Sequence, residues 1–241
     1  MEADTTTPDF SRLLQSIRRC AAVYEPDDAK ARAAFSALGC DVLGRWCDDS
    51  HQAIAHSDPS GRACLTISGT RVSEGTIAEH FGDLTADADV TPSLVGGFFV
   101  AAGPVDGLGA LWDWAQPLLA GSASIDVEGH SLGAGRAILS PLFIPRESLG
   151  RITAWEPPKW VTQSFWDAHA DLDITTVVHG RDPWAAWPWI GTNYVHQPEL
   201  LWLNEGDYHV IPRDQWTGGN LLCWPDHGPE SVLDAVAALA K

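Results

Sequence analysis

The sequence predicts an α/β fold: a mostly parallel central sheet with helices on both faces. Two observations predict it. Short apolar or alternating runs at 63–68, 124–128, 151–155, 174–178 and 200–203 are interleaved with stretches of helical periodicity at 108–119, 133–139 and 229–239. The chain is 241 residues long with 45% hydrophobic and 20% charged residues, enough for one large buried core, so a single domain over 1–241 is expected.

The elements read as follows. Thr7 is a good N-cap and Pro8 suits a first helical position; Phe10, Leu13, Leu14, Ile17 and Ala21 then recur at helical spacing until Pro26. A second helix starts at Asp27 or Asp28, buries Phe35 and Leu38, and closes on Gly39. Together they make a helical lead-in at about 7–38. Residues 53–56 are a short strand candidate. The stronger run Ala63-Cys64-Leu65-Thr66-Ile67-Ser68 stops at Gly69. Residues 108–119 form a helix whose end Pro117 limits. Ser124-Ile125-Asp126-Val127-Glu128 alternates cleanly into Gly129, and small residues from Gly133 to Leu139 suit a closely packed helix. The last helix begins near Pro229 and carries Val232, Leu233, Val236 and Leu239 on one face. The order of strands in the sheet is not legible at this level.

Charge narrows the partners. The net charge is −17, from 32 acidic against 15 basic residues, a field that repels nucleic-acid phosphates and anionic lipid surfaces. Residues 1–8 are acidic and polar, without the basic start and apolar core of a secretory signal, and no run approaches 18 apolar residues. A cytoplasmic location without membrane insertion is the default expectation, with release by another route left open. Five cysteines, an odd number at irregular spacing, favour free thiols over a disulfide framework.

The strongest chemical signal is Gly129-His130-Ser131-Leu132-Gly133, placed between a strand and a small-residue helix. A sharp strand-to-helix turn leaves no room for side chains beside the serine. It also presents the hydroxyl at a helix N-terminus, where free N–H groups favour negative charge. A serine is a weak nucleophile without a positioned base, and the base needs an acid to hold its tautomer. In such a fold the expected order is serine, acid, histidine. Asp182, just past the strand at 174–178, is the candidate acid; an Asp-Pro turn is the plainer reading of the same residue. His227, in the loop before the last helix, is the candidate base, with His209 as runner-up. His196 reads as a packing or hydrogen-bonding residue.

These segments resemble the class 3 lipases, the α/β-hydrolases that include the filamentous-fungal lipases, over roughly residues 35–240. Ile67-Ser68-Gly69-Thr70 resembles that family's oxyanion strand end, Gly129 to Gly135 its nucleophile elbow, Arg181-Asp182-Pro183-Trp184 with the trailing Pro188 its acid motif, and Asp226-His227 its histidine motif. The resemblance implies Ser131 as nucleophile, Asp182 as acid and His227 as base. It also implies an oxyanion hole from Thr70 and the Leu132 backbone N–H. Two positions depart from the family pattern. Ser68 stands where an arginine is usual, and Leu94-Val95-Gly96-Gly97-Phe98 lacks the usual histidine.

The resemblance also implies a lid at about 73–94, where Ile77, Phe81 and Leu84 fall on one helical face; static cover fits the same pattern. Trp184 and Trp187, with Trp189, crowd the loop after Asp182, where they fit either the lining of a substrate pocket or loop packing. Cys47, Asp48, Asp49, His51, His56 and Asp58 match no metal-ligand spacing and read as a solvated loop before a strand. The expected activity is hydrolysis of a small-molecule or lipid carboxylic ester through an acyl-enzyme, without metal or cofactor. Acyl transfer or depolymerisation of an acylated polymer would use the same triad. A hydrolase scaffold that only binds is the third reading, and the full set of triad candidates argues against it. Chain-length preference and oligomeric state stay open.

Overall fold

Aspartates start the first two helices. In the computed structural model, which describes residues 7–47, 52–70, 89–189, 191–216, 218 and 223–241, helix α1 (Phe10–Ala22) is capped by the Asp9 side chain, which accepts the Arg12 N–H at 3.0 Å. The expected Thr7 cap is thus displaced by two residues, because the carboxylate of Asp9 reaches a free first-turn N–H. Helix α2 (Asp28–Ala37) is capped by Asp27, which accepts the Lys30 N–H at 2.9 Å. Gly39 follows its end at φ +75°, a conformation that favours glycine.

The chain then forms strands β1 (Asp41–Cys47), β2 (Gln52–Ser57), β3 (Ala63–Ile67), β4 (Pro92–Val95) and β5 (Phe98–Ala101), followed by helices α3 (Ala102–Val105) and α4 (Leu108–Leu119). Strand β6 (Ile125–His130) leads into helix α5 (Leu132–Leu139). Strands β7 (Leu149–Trp155) and β8 (Val161–Thr162), helix α6 (Gln163–Ala168), and strands β9 (Ile174–His179), β10 (Tyr194–Val195), β11 (Glu199–Asn204) and β12 (Asp207–Pro212) follow. Helix α7 (Pro229–Leu239) closes the chain.

Eight strands make the main sheet in the order β1-β2-β3-β6-β7-β9-β11-β12. β3, β6, β7, β9 and β11 run parallel, and β2 and β12 join antiparallel on either side. This is the architecture of an α/β-hydrolase. A smaller antiparallel sheet has the order β10-β8-β5-β4.

The parallel strands alternate in the direction they face. Ala63, Leu65, Ile67, Val127, Ile152 and Ala154 pack with Leu108, Leu111, Trp112 and Ala115 of α4 and Ala137 and Ile138 of α5. On the other face, Trp155, Val177, Leu201 and Leu203 pack with Phe10, Leu13 and Ile17 of α1 and Val232 and Val236 of α7. Between them on that face lies a buried ion pair. Arg19 donates from Nε to Glu128 Oε1 at 2.6 Å and from Nη2 to Oε2 at 2.8 Å, and Thr66 donates to the same carboxylate at 2.7 Å. Burial pushes the Glu128 carboxyl up, but the Arg19 guanidinium more than offsets this and holds it below the usual carboxylate range. Charge and hydrogen bonds therefore fix α1 across the strand that carries the elbow.

One expectation is corrected. Cys47 and His56 do not lie in a loop before a strand: Cys47 ends β1, and His56 is buried in β2, bonded to Thr66 Oγ1 at 2.9 Å, while Asp48, Asp49 and His51 lie outside the described residues. Polar residues disguised the antiparallel pair β1–β2, whose outer strand is only partly covered. Leu94-Val95-Gly96-Gly97-Phe98 forms the tight turn between β4 and β5, with both glycines at positive φ. The expected lid residues Ile77, Phe81 and Leu84 lie outside the described residues. No helix among the described residues is long and apolar enough to cross a membrane.

Candidate active site

Four adjacent parallel strands, β3, β6, β7 and β9, end at one edge of the sheet, and the side chains of interest follow them directly. This edge is where open α/β sheets bind ligands.

The turn after β6 is sterically demanding. A side chain on Gly129 would come within 2.3 Å of the Gly133 carbonyl oxygen, and one on Gly133 within 2.3 Å of the Ile67 carbonyl oxygen. Only hydrogen at both positions lets α5 start directly against the ends of β6 and β3. Ser131, between them, takes φ 60° and ψ −127°, a strained backbone for a residue with a side chain. Its N–H donates to Trp155 O at 2.8 Å, and its carbonyl accepts from Ala134 N at 3.0 Å.

The side chains of Ser131, His227 and Asp182 form one hydrogen-bonded chain. His227 Nε2 lies 2.9 Å from Ser131 Oγ, and Nδ1 lies 2.8 Å from Asp182 Oδ2. A carboxylate can only accept, so Nδ1 carries the hydrogen and Nε2 is left to accept the serine proton. Asp182 is itself held: Oδ1 accepts the Trp184 N–H at 2.7 Å, and Oδ2 accepts the Ala185 N–H at 3.1 Å. All three residues are buried. The Asp-Pro turn and the acid of the chain are thus the same residue.

Behind the histidine lies a polar relay that motif reading did not find. His130 Nε2 donates to the His227 carbonyl at 2.8 Å. Its Nδ1 must then accept, and the Tyr24 hydroxyl donates to it at 2.8 Å while accepting the Gly69 N–H at 2.8 Å. Burial, reinforced by His227, holds the His130 imidazole well below its ordinary value, so it is neutral. Glu156, one residue past β7, is fully buried with Oε2 3.3 Å from His130 Nε2 and 3.6 Å from His227 Nδ1.

Leu132 follows the serine directly, and Thr70 follows Gly69, which packs against it. Gly69 packs so closely that a side chain there would sit 2.9 Å from Ser131 Cβ, which brings the following Thr70 to the elbow. Thr70 Oγ1 is buried and has no hydrogen-bond partner among the described residues. Leu132 is the first residue of α5, so its N–H has no acceptor within the helix.

The remaining candidates separate. Trp184 is buried in the main core, its ring stacked on Trp187 at 6.0 Å and edge-on to His227 at 6.4 Å, so it braces the histidine by packing. His209 is exposed on the edge strand β12, paired with Trp202 across the strands and away from the serine. His196 is buried and bonds the Ala185 carbonyl at 2.8 Å, behind the Asp182 turn. Among the described residues, His130, Glu156 and His227 could bring ligand atoms within 4.8 Å of one another. The facing nitrogens are committed to a carbonyl and a carboxylate, so they carry hydrogens where a metal needs lone pairs. The group fits a hydrogen-bond network and does not fit a metal centre.

Comparison with known proteins agrees at the level of the fold. No protein-family model and no curated protein matches the sequence. Solved structures do. A mono- and diacylglycerol lipase from Aspergillus oryzae superposes with a TM-score of 0.71 at 17% identity, covering 97% of this chain and 100% of that one. A mutant form of MDLA from Penicillium cyclopium gives 0.70 at 17% identity, covering 93% and 96%. The triacylglyceride lipase of Rhizomucor miehei gives 0.66 at 16% identity, covering 92% and 94%. The chain has the α/β-hydrolase fold of the fungal lipases.

Proposed function

We propose that this protein is a carboxylic ester hydrolase acting through an acyl-enzyme on Ser131. The observation that carries the reading is the unbroken chain Ser131–His227–Asp182, with the serine on a strained turn at a helix N-terminus.

The geometry supplies each step. His227 Nε2 takes the proton as Ser131 Oγ attacks the ester carbonyl. The negative oxygen that forms is met by the Leu132 N–H and the Thr70 hydroxyl, which has no hydrogen-bond partner among the described residues; such donors are worth about 3 kcal/mol each in comparable sites. His227 then returns the proton to the leaving alcohol, and water repeats the sequence on the acyl-enzyme. Asp182, pinned by two backbone N–H groups, holds the imidazole in the tautomer this needs and stabilises it when charged. The net charge of −17 favours neutral esters, lipid or small and soluble, over anionic interfaces.

The lipase and diacylglycerol-lipase names of the structural neighbours point to acylglycerols as the first substrates to try. A rate series on nitrophenyl esters from acetate to palmitate tests the reading. It predicts hydrolysis of at least part of the series, with the chain-length optimum separating esterase from lipase. No turnover of any member, or turnover unchanged in Ser131→Ala, would overturn it.

A further inference from the structure

Glu156 is an unusual residue to find beside a triad. Its backbone sits at φ +51°, where a side chain is disfavoured, and its N–H is fixed to Val177 O at 2.8 Å. Its side chain is fully buried, and Oε1 has no hydrogen-bond partner of normal geometry among the described residues. No Arg or Lys is paired with it among the described residues. The groups that act on it are His130, His227, Asp182, Asp226 and the backbone N–H of His179. Burying a carboxyl in this way is costly unless it has a task or stays uncharged.

We infer that Glu156 is a positioning residue of the triad: its buried carboxyl, 3.6 Å from His227 Nδ1 and 3.3 Å from His130 Nε2, confines the His227 imidazole as an uncharged group. This deepens the ester-hydrolase reading and rests on it for its catalytic meaning. Two carboxyls against one imidazole nitrogen in a dry site do not both ionise; they share one proton. Asp182 already accepts two backbone N–H groups and the His227 N–H, so it keeps the charge. Glu156, whose Oε1 has no such partner among the described residues, keeps the proton. Burial first, then the negative charges of Asp182 and Asp226, hold its carboxyl well above the usual range, outweighing the opposite pull of the His179 backbone N–H. Of the two carboxyls that face His227 Nδ1, only Asp182 thus carries a negative charge, with the second acid packed beside it. His130 Nε2, shared between the His227 carbonyl at 2.8 Å and Glu156 at 3.3 Å, joins the backbone of the base to the same clamp.

The test follows the full-length protein and its Glu156→Gln and Glu156→Ala variants by NMR of histidine-labelled imidazoles, alongside ester kinetics. Gln is neutral and can still donate. The expected result is that Glu156→Gln leaves the His227 titration and the pH–rate profile in place, keeps the downfield Nδ1–H resonance, and holds kcat within about threefold. Glu156→Ala should broaden or abolish that resonance and lower kcat about tenfold or more at nearly constant KM, an effect that conservative replacement by Gln rescues. A fall of about one unit or more in the His227 pKa in Glu156→Gln would show that Glu156 carries a charge, and would overturn the inference. So would a Glu156→Ala variant with an unchanged resonance and kcat. If the wild type turns over no ester, the proposed function fails, and the imidazole spectra still decide the role of Glu156.

Discussion

The Tyr24 hydroxyl donates to His130 Nδ1 at 2.8 Å, and through this bond the end of the first helical region is joined to the nucleophile elbow. The same hydroxyl accepts the Gly69 N–H at 2.8 Å, one residue before Thr70. Tyr24→Phe leaves a buried N–H and a buried imidazole nitrogen without partners. It should cost about 1–3 kcal/mol of stability, read as a lower urea midpoint at constant slope, with ester turnover falling alongside. An unchanged midpoint would show that water or another group satisfies both atoms.

Thr70 should behave in the opposite sense for stability. Its hydroxyl makes no hydrogen bond to the described residues, so Thr70→Val removes no bond seen in the resting fold. The variant should be as stable as the wild type or more so, yet lose about 10²- to 10³-fold in kcat, with Thr70→Ser restoring most of it. Equal losses of stability and activity would make Thr70 a packing residue.

Asp182→Asn keeps the shape of the acid but removes its charge and invites the wrong imidazole tautomer. A loss in kcat of about 10⁴-fold, with folding retained, is expected from steady-state kinetics. A loss of less than tenfold would remove Asp182 from the acid role.

The Arg19–Glu128 pair makes a prediction about the fold alone. Removing one partner, as in Arg19→Met, strands a buried charge and should destabilise the protein by about 3–5 kcal/mol in denaturant unfolding. Arg19→Met combined with Glu128→Leu should recover most of that loss, because two apolar side chains need no partner.

Stability should fall on mild acidification. Burial pushes His56 down to about 4 and His196 to about 3, and holds His130 well below its ordinary value near 6.5. Each contributes stability that is complete above the unfolded value and is lost as pH falls towards the folded one, at about 1.4 kcal/mol per pH unit. Glu156, held above its ordinary 4.5, acts in the other direction: its contribution is complete below that value and is lost as pH rises. His169 is held lower too, so the histidines outnumber the one raised acid and the net effect between roughly pH 6 and 5 is a loss of stability as pH falls. Unfolding free energies at pH 7, 6 and 5 check this, and a flat profile would contradict it.

How much of this was legible in the sequence differs by residue. The elbow was legible because its cause is local: glycines at fixed spacing, a strand before and a helix after. The parallel strands were legible because both their faces are buried and they read as apolar runs. The outer strands β1 and β12 were not, since exposed faces fill them with polar residues. Asp182 was ambiguous, because an Asp-Pro turn has the same spelling with or without a histidine opposite. Tyr24 and Glu156 were invisible. Tyr24 is 106 residues from His130, and Glu156 before two prolines looks like any loop acid. Their roles arise only when the ends of β3, β6, β7 and β9 are brought side by side.

The central claim is that Ser131 is a nucleophile activated by His227. The most direct test is covalent labelling of the full-length protein with a fluorophosphonate, read by intact mass and peptide mapping. The account predicts one adduct per chain, located on Ser131, absent from Ser131→Ala and strongly slowed in His227→Ala, with ester turnover lost in step with labelling. An unlabelled wild-type protein that is folded, or an adduct on any other residue with Ser131 unmodified, would contradict it.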